Sequence, residues 1–225
     1  MKRTTMKTIR LLAAAASALG LSCIGNAITT YSVSLDTSSL QGSASAPFYL
    51  DFLLLDGTAA DLGNNSATIS NLQFGGSGHT VGSPTVFSGA SATSAGIELV
   101  DILLPFGSFY QVYQEFVPGS SLSFLLTLSD NLNSDGSTDM FSFSILDGSL
   151  FPIWTQAPDF SDNLLQITLD GDHPQIDTFA GDFEYSDVGA PSVSTVPDSS
   201  VFCIGLASLI AMFATRRRLD HHLVS

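Results

Sequence analysis

Apolar and polar residues alternate with a period of two along most of this chain. Tyr31–Asp36 (YSVSLD) places Tyr31, Val33 and Leu35 on one face and serines on the other, the signature of a half-buried strand. Ala67–Phe74 (ATISNLQF) and Met140–Leu146 (MFSFSIL) repeat the pattern. In the latter, Phe141, Phe143 and Ile145 point one way, with Ser142 and Ser144 between them. Phe48–Leu55 (FYLDFLLL) is almost continuously apolar and predicts a more deeply buried strand. Ile97–Leu104, Phe109–Val117, Leu122–Leu128, Leu164–Leu169 and Ile176–Tyr185 follow at short spacing, and no segment among them carries a capped 3.6-residue period. Four Asp-Gly pairs, at Asp56, Asp135, Asp147 and Asp170, suit tight hairpin turns. The clearest predicted hairpin joins Leu122–Leu128 to Met140–Leu146. The expected fold class is all-β, an antiparallel β-sandwich of jelly-roll type. Gly75–Gly96 reads as an exposed loop with a weak strand at Thr85–Ser88, and Ser186–Thr195 as a flexible linker.

The pattern changes at both ends. Met1–Arg10 is basic, Leu11–Leu21 is apolar, and Gly25-Asn26-Ala27 offers small residues before a cleavage point between Ala27 and Ile28. That is the layout of a signal peptide, and its apolar core falls short of the ~20 residues that span a bilayer. At the other end Val201–Ala214 (VFCIGLASLIAMFA) predicts a transmembrane helix, stopped by Arg216, Arg217 and Arg218, with the domain outside and the arginines inside. The expected organisation is a signal helix over 1–27, an ectodomain over 28–185, a linker over 186–195, a sorting segment with its helix over 196–219 and a cytoplasmic tail over 220–225.

Charge follows the same division. All seven Lys and Arg lie in the two ends, whereas every carboxylate but Asp220 lies between Ile28 and Ser200. A domain with acidic groups and no basic ones repels phosphate backbones, which excludes nucleic acid as a partner. Cys23 and Cys203 both sit in the hydrophobic ends, so the predicted ectodomain has neither a disulfide nor a thiol nucleophile.

Val196-Pro197-Asp198-Ser199, the apolar run and the arginine cluster, in that order, resemble the PEP-CTERM class of bacterial sorting signals, in particular its VPDSG variant. The resemblance implies an exosortase-type enzyme as partner, with Val196, Pro197, Asp198 and Ser199 as its recognition motif and this chain as its substrate. Ser200 stands where that variant has Gly, and the tail continues as Leu219–Ser225. Tyr31–Leu40, Phe48–Phe52 and Ala67–Leu72 resemble a β-rich ectodomain family found in front of such tails. The two resemblances imply an exported surface or extracellular-matrix protein, held in the inner membrane before sorting, with a non-enzymatic ectodomain.

Three patterns could carry chemistry within the domain. Asp130–Asp139 (DNLNSDGSTD) resembles the first half of a calcium loop, but Asn131 replaces the first acidic ligand and Ser142 the last. It reads first as a polar turn, and second as a weak calcium site built from Asp130, Asn133, Asp135 and Asp139. His173, flanked by Asp170 and Asp172, is ordinary loop composition before Pro174. A glycan-binding module assisted by calcium, directed at exopolysaccharide, is the alternative function. It needs an exposed aromatic platform, whereas Trp154, the only tryptophan, reads as core together with Phe151 and Ile153. A secreted hydrolase would need two paired carboxylates, one with a raised pKa, and no spacing singles such a pair out.

Overall fold

In a computed structural model the chain is described at residues 27–57, 64–93, 96–100, 109–158, 161–171 and 174–197. Thirteen strands run through these residues: β1 (Ala27–Asp36), β2 (Phe48–Leu55), β3 (Ser66–Phe74), β4 (His79–Thr80), β5 (Thr85–Phe87), β6 (Ala90–Thr93), β7 (Gly96–Val100), β8 (Phe109–Val117), β9 (Ser121–Asp130), β10 (Asp139–Leu146), β11 (Leu165–Leu169), β12 (Gln175–Thr178) and β13 (Ser192–Thr195). Two 3-10 turns, Ser38–Leu40 and Phe183–Tyr185, are the only helical elements among the described residues. The strands form two antiparallel sheets. One has the order β13-β1-β9-β3-β7-β6, the other β12-β11-β10-β2-β8-β4, with β5 also on β8.

The period-two pattern explains the layers. From the first sheet Tyr31, Val33, Leu35, Ile69, Leu122, Phe124 and Leu126 turn inward; from the second come Leu50, Phe52, Leu54, Phe141, Phe143 and Ile167. Three phenylalanines join the sheets at the centre. Phe52 lies 5.3 Å from Phe143, and Phe124 of the facing sheet meets both edge-on, at 5.4 and 5.3 Å. Replacing any one by Ala leaves a cavity that costs about 3–5 kcal/mol. A second aromatic group, Phe48, Phe116 and Phe74, fills the sandwich nearer one end.

Several expectations change in the folded chain. β9 and β10 do not form a hairpin: β9 lies in one sheet and β10 in the other, and the Asp-rich residues 131–138 cross between them. Alternation shows which face of a strand is buried, but not which sheet supplies the partner. Of the four Asp-Gly pairs, Asp147-Gly148 and Asp170-Gly171 follow strands that pair with the next, β10 with β11 and β11 with β12, and only the second lies in a short connection. Asp56-Gly57 and Asp135-Gly136 sit at crossings between the sheets. The stretch over 75–96 contains three short strands, β4, β5 and β6, and the run Ile176–Tyr185 ends as a strand at Thr178 before the 3-10 turn. Ser142 and Ser144 are buried rather than facing water, and Ser144 Oγ donates to Asn163 Oδ1 at 3.0 Å.

The segment read as a linker over 186–195 is also different. Val188 is fully buried, and Ser192–Thr195 is an edge strand with Tyr31 opposite Thr195 and Ser34 opposite Ser192. Polar, small-residue composition suggested a linker, but an edge strand needs only one apolar anchor per face. Val193 supplies it, packing against the core.

Candidate functional site

β10 runs from Asp139 at one end of the sandwich to Leu146 at the other, roughly 24 Å at about 3.4 Å per residue. The two ends differ in chemistry. At the first, Asp139 is fully buried and surrounded by amide donors. Its Oδ1 accepts from Gly57 N and Asn133 Nδ2, both at 2.9 Å, and its Oδ2 from Asn65 Nδ2 at 2.7 Å. Asn65, also buried, donates to Asn131 O and accepts from Asn131 N and Ser129 Oγ. The network ties the β2–β3 and β9–β10 crossings together, because a buried carboxylate is tolerated only when its lone pairs are satisfied.

This geometry brings together two of the four residues read as a calcium site, Asn133 and Asp139. Asp130 instead accepts from Gly171 N at 2.9 Å, and Asp135 closes its own turn by accepting from Ser137 N. Among the described residues no three His, Cys, Asp or Glu side chains converge on a common point suited to a metal. Asp172 and His173 lie outside the described residues.

At the opposite end the chain leaves aromatic rings in water. Trp154 is 51 % exposed, Phe151 69 % and Phe183 71 %, which corrects the expectation that Trp154 and Phe151 are core; only Ile153 is. Leu146 forms a bridge with Pro152, and Ile153 N donates to Ile145 O, so Ile153 is drawn inward and its neighbours are left out. Trp154 O accepts from Asp182 N at 2.8 Å, which sets the 3-10 turn beside it. Trp154 and Phe183 meet edge-to-face, with centroids 5.7 Å apart and planes at 80°.

A cleft of about 290 Å³ adjoins these rings, lined by Phe151, Pro152, Trp154 and the carboxylates Asp147, Asp162 and Glu184, with Tyr185 at its base. Asp147 Oδ1 accepts from Ser149 N and Phe151 N, and Asp162 Oδ1 from Thr155 N. These bonds fix the loop and leave acceptor capacity directed outward. Burial, and to a lesser degree the nearby Glu184 and Asp147, raise the Tyr185 hydroxyl above its ordinary range. Leu150, Asp162 and Phe183 all adopt positive φ (61°, 52° and 49°) around this cleft. Such backbone costs on the order of 1–3 kcal/mol per residue and persists only where surrounding structure enforces it. The sequence held one hint of this surface, two aromatics flanking Pro152. Phe183 gave none, because its neighbourhood forms only in the fold.

Two further features complete the survey. A cleft of about 540 Å³ opens between the sheets, lined by Ile69, Leu72, Phe74, Ile97, His79 and Gln114. Gln114 already donates to Val81 O and Glu115 O, and His79 Nδ1 bonds Ser77 O, so the polar groups there serve the fold. On the outer face of β2, Asp51 is 8 % exposed, and burial pushes its carboxyl up to about 7 despite the Gln111 amide, which donates to both its oxygens at 2.9 and 3.1 Å. It is the raised carboxyl a hydrolase would need, enclosed where a substrate bond has little access.

Of the residues read as export signals, Ala27 pairs with Asp130 and Ile28 with Ser129 at the start of β1. Val196 N donates to Thr30 O at 2.8 Å, and Pro197 follows exposed. Asp198, Ser199, Arg216, Arg217 and Arg218, and the two expected terminal helices, lie outside the described residues. No helix among the described residues is long and apolar enough to cross a membrane. In comparisons with protein families, curated proteins and solved structures, the chain matches none.

Proposed function

We propose that this chain is an exported bacterial surface or extracellular-matrix protein. In this reading a signal peptide is removed between Ala27 and Ile28, and an exosortase-type enzyme processes the chain at Val196-Pro197-Asp198-Ser199. The apolar segment and Arg216–Arg218 hold it in the inner membrane until then. The ectodomain is a non-enzymatic sandwich of jelly-roll type. The repeated change of sheet along the chain, at β1–β2, β2–β3, β3–β4, β5–β6, β7–β8, β8–β9, β9–β10 and β12–β13, supports that topology.

One observation carries the reading. The domain begins and ends on neighbouring antiparallel strands, with Tyr31 opposite Thr195 and Val196 N bonded to Thr30 O. Ala27 and Pro197 therefore lie at the same end of the sandwich, an arrangement that suits a domain flanked by two membrane-directed segments. The cations of the chain are confined to those two segments, and the acidic domain between them carries none that would retain it on the cytoplasmic side. Pro197 keeps the motif extended as it leaves β13 and disfavours helix at the residue before it.

The test is intact-mass spectrometry of the protein from its bacterial host, with membrane, envelope and medium fractions kept separate. The expected product begins at Ile28 and has lost the region after about Pro197. A product that still carries Arg216–Arg218 and occurs only in the membrane would overturn sorting in favour of a simple anchor.

A further inference from the structure

We infer that the Trp154 shelf, with the cleft beside it, is a binding site for a neutral, polyhydroxylated glycan chain. The inference deepens the surface-protein reading, on which only its outward orientation rests. Three exposed aromatic rings on one small surface are more than scattered surface apolarity, and Trp154, Phe151 and Phe183 are each at least half exposed. Their flat faces match the C–H faces of pyranose rings, while the three carboxylates beside them can only accept hydrogen bonds. Asp147, Asp162 and Glu184 offer carboxylate oxygens, so the ligand must be rich in donors, as sugar hydroxyls are.

Charge selects among glycans. No Lys or Arg occurs among the described residues, and the three carboxylates at the cleft repel uronate, sulfate and phosphate. A quaternary ammonium or lysine side chain would satisfy the charge, but an aromatic cage turns ring faces inward around the cation. Here the two rings are in direct contact, edge-to-face with centroids 5.7 Å apart, which leaves no space for a cation between them. The backbone at Leu150, Asp162 and Phe183 holds that shelf in a conformation local preference disfavours, so it is preformed before a ligand arrives.

Position supports the same conclusion. The shelf lies at the Leu146 end of β10, whereas β1 begins and β13 ends toward the Asp139 end. In an exported chain tethered through either terminus, the shelf points away from the membrane. An ion bound near Asn133 and Asp139 would not reach a ligand there, so the glycan site stands without calcium.

Trp154 is the only tryptophan, and its emission reports the site directly. The experiment titrates the full chain, in a detergent without sugar headgroups, with cellohexaose and maltohexaose as neutral probes, polygalacturonate as an anionic probe and tetramethylammonium as a cationic one. The expected result is a saturable change in Trp154 emission with at least one neutral oligomer. Calorimetry should then show binding weakened tenfold or more in Trp154→Ala and in Phe183→Ala, with unchanged far-ultraviolet circular dichroism. If Trp154→Ala fails to fold, Phe151→Ala, at a side chain that adjoins the cleft, carries the same test. No response to either neutral oligomer, equal affinity in the variants, or a response to tetramethylammonium alone would overturn the inference. None of these outcomes bears on whether the chain is exported and cut, which the mass measurement decides separately.

Discussion

The two ends of the sandwich handle mismatch between side chain and surroundings in opposite ways. At the Asp139 end, polar groups are buried and every donor around the carboxylate finds an oxygen. At the Trp154 end, large apolar groups face water and find only each other. A buried carboxylate is compatible with folding here because three N–H donors meet the Asp139 oxygens, and the network specifies how two sheet crossings meet. Exposed aromatics, with Phe183 itself and Leu150 and Asp162 nearby on disfavoured backbone, give the fold little. The first end serves the chain itself, and the second is the surface we propose for a ligand.

That contrast breaks most readily at Asp139. Asp139→Ala strands the Gly57, Asn65 and Asn133 donors in the interior and should cost about 4 kcal/mol, read as a shift in the urea midpoint at constant slope. A loss below about 1 kcal/mol would mean the network is ornamental. Asp51 sharpens the comparison, because it is a buried carboxylate served by one side-chain amide instead of three N–H donors. Its carboxyl titrates near 7 in the folded chain against 3.8 in the reference state, raised by burial. The folded state therefore holds the proton more tightly, so this contribution is fully present below about pH 4 and is lost as pH rises through 7. Stability should fall by on the order of 3 kcal/mol between pH 4 and pH 8 from this group, and Asp51→Asn should flatten that slope in thermal melts taken across the range.

Smaller effects follow at Gly57 and at the shelf. A Cβ at Gly57 would stand 2.1 Å from Thr138 O, backbone that cannot move without disturbing the Asp139 network. Gly57→Ala should cost about 2 kcal/mol by denaturant titration, although the same change at Gly42, which has open space and a φ of 71°, would be felt through strain alone. Phe151→Ala at the other end should change stability by less than about 0.5 kcal/mol. An equal loss at both ends would erase the distinction between a structural and a presented surface.

Much of this fold was legible because strands announce themselves by period. Phe48–Leu55 and Phe109–Val117 have the bounds read from their apolar runs, and Tyr110 and Tyr113 fall on opposite faces, one in the core and one against Phe87. The weak points were places where composition stood in for contact. Ser186–Thr195 has the small polar residues of a linker, but backbone hydrogen bonds to β1 make its second half a strand whatever its side chains. Phe151-Pro152-Ile153-Trp154 has core composition, but the Leu146–Pro152 bridge and the Ile153–Ile145 bond admit one of its large side chains and exclude two. Asp139 read first as part of a polar turn and second as one residue of a weak calcium site, because two of the donors that surround it, from Asn65 and Gly57, are distant in sequence.

The sequence by itself determined the all-β class, the inward faces of the strands, the acidic character of the domain and the separation of cationic ends from an uncharged-or-acidic middle. Each of these depends on residue type and local spacing alone. Only the tertiary structure decided which sheet each strand joined, that both ends of the domain emerge side by side, that Asp139 is enclosed by amides, and that Trp154 stands beside Phe183 in water. Those are consequences of pairing between segments far apart in the chain. Hydrogen-bond registers of that kind are chosen by the packing of the whole sandwich, which no local pattern encodes.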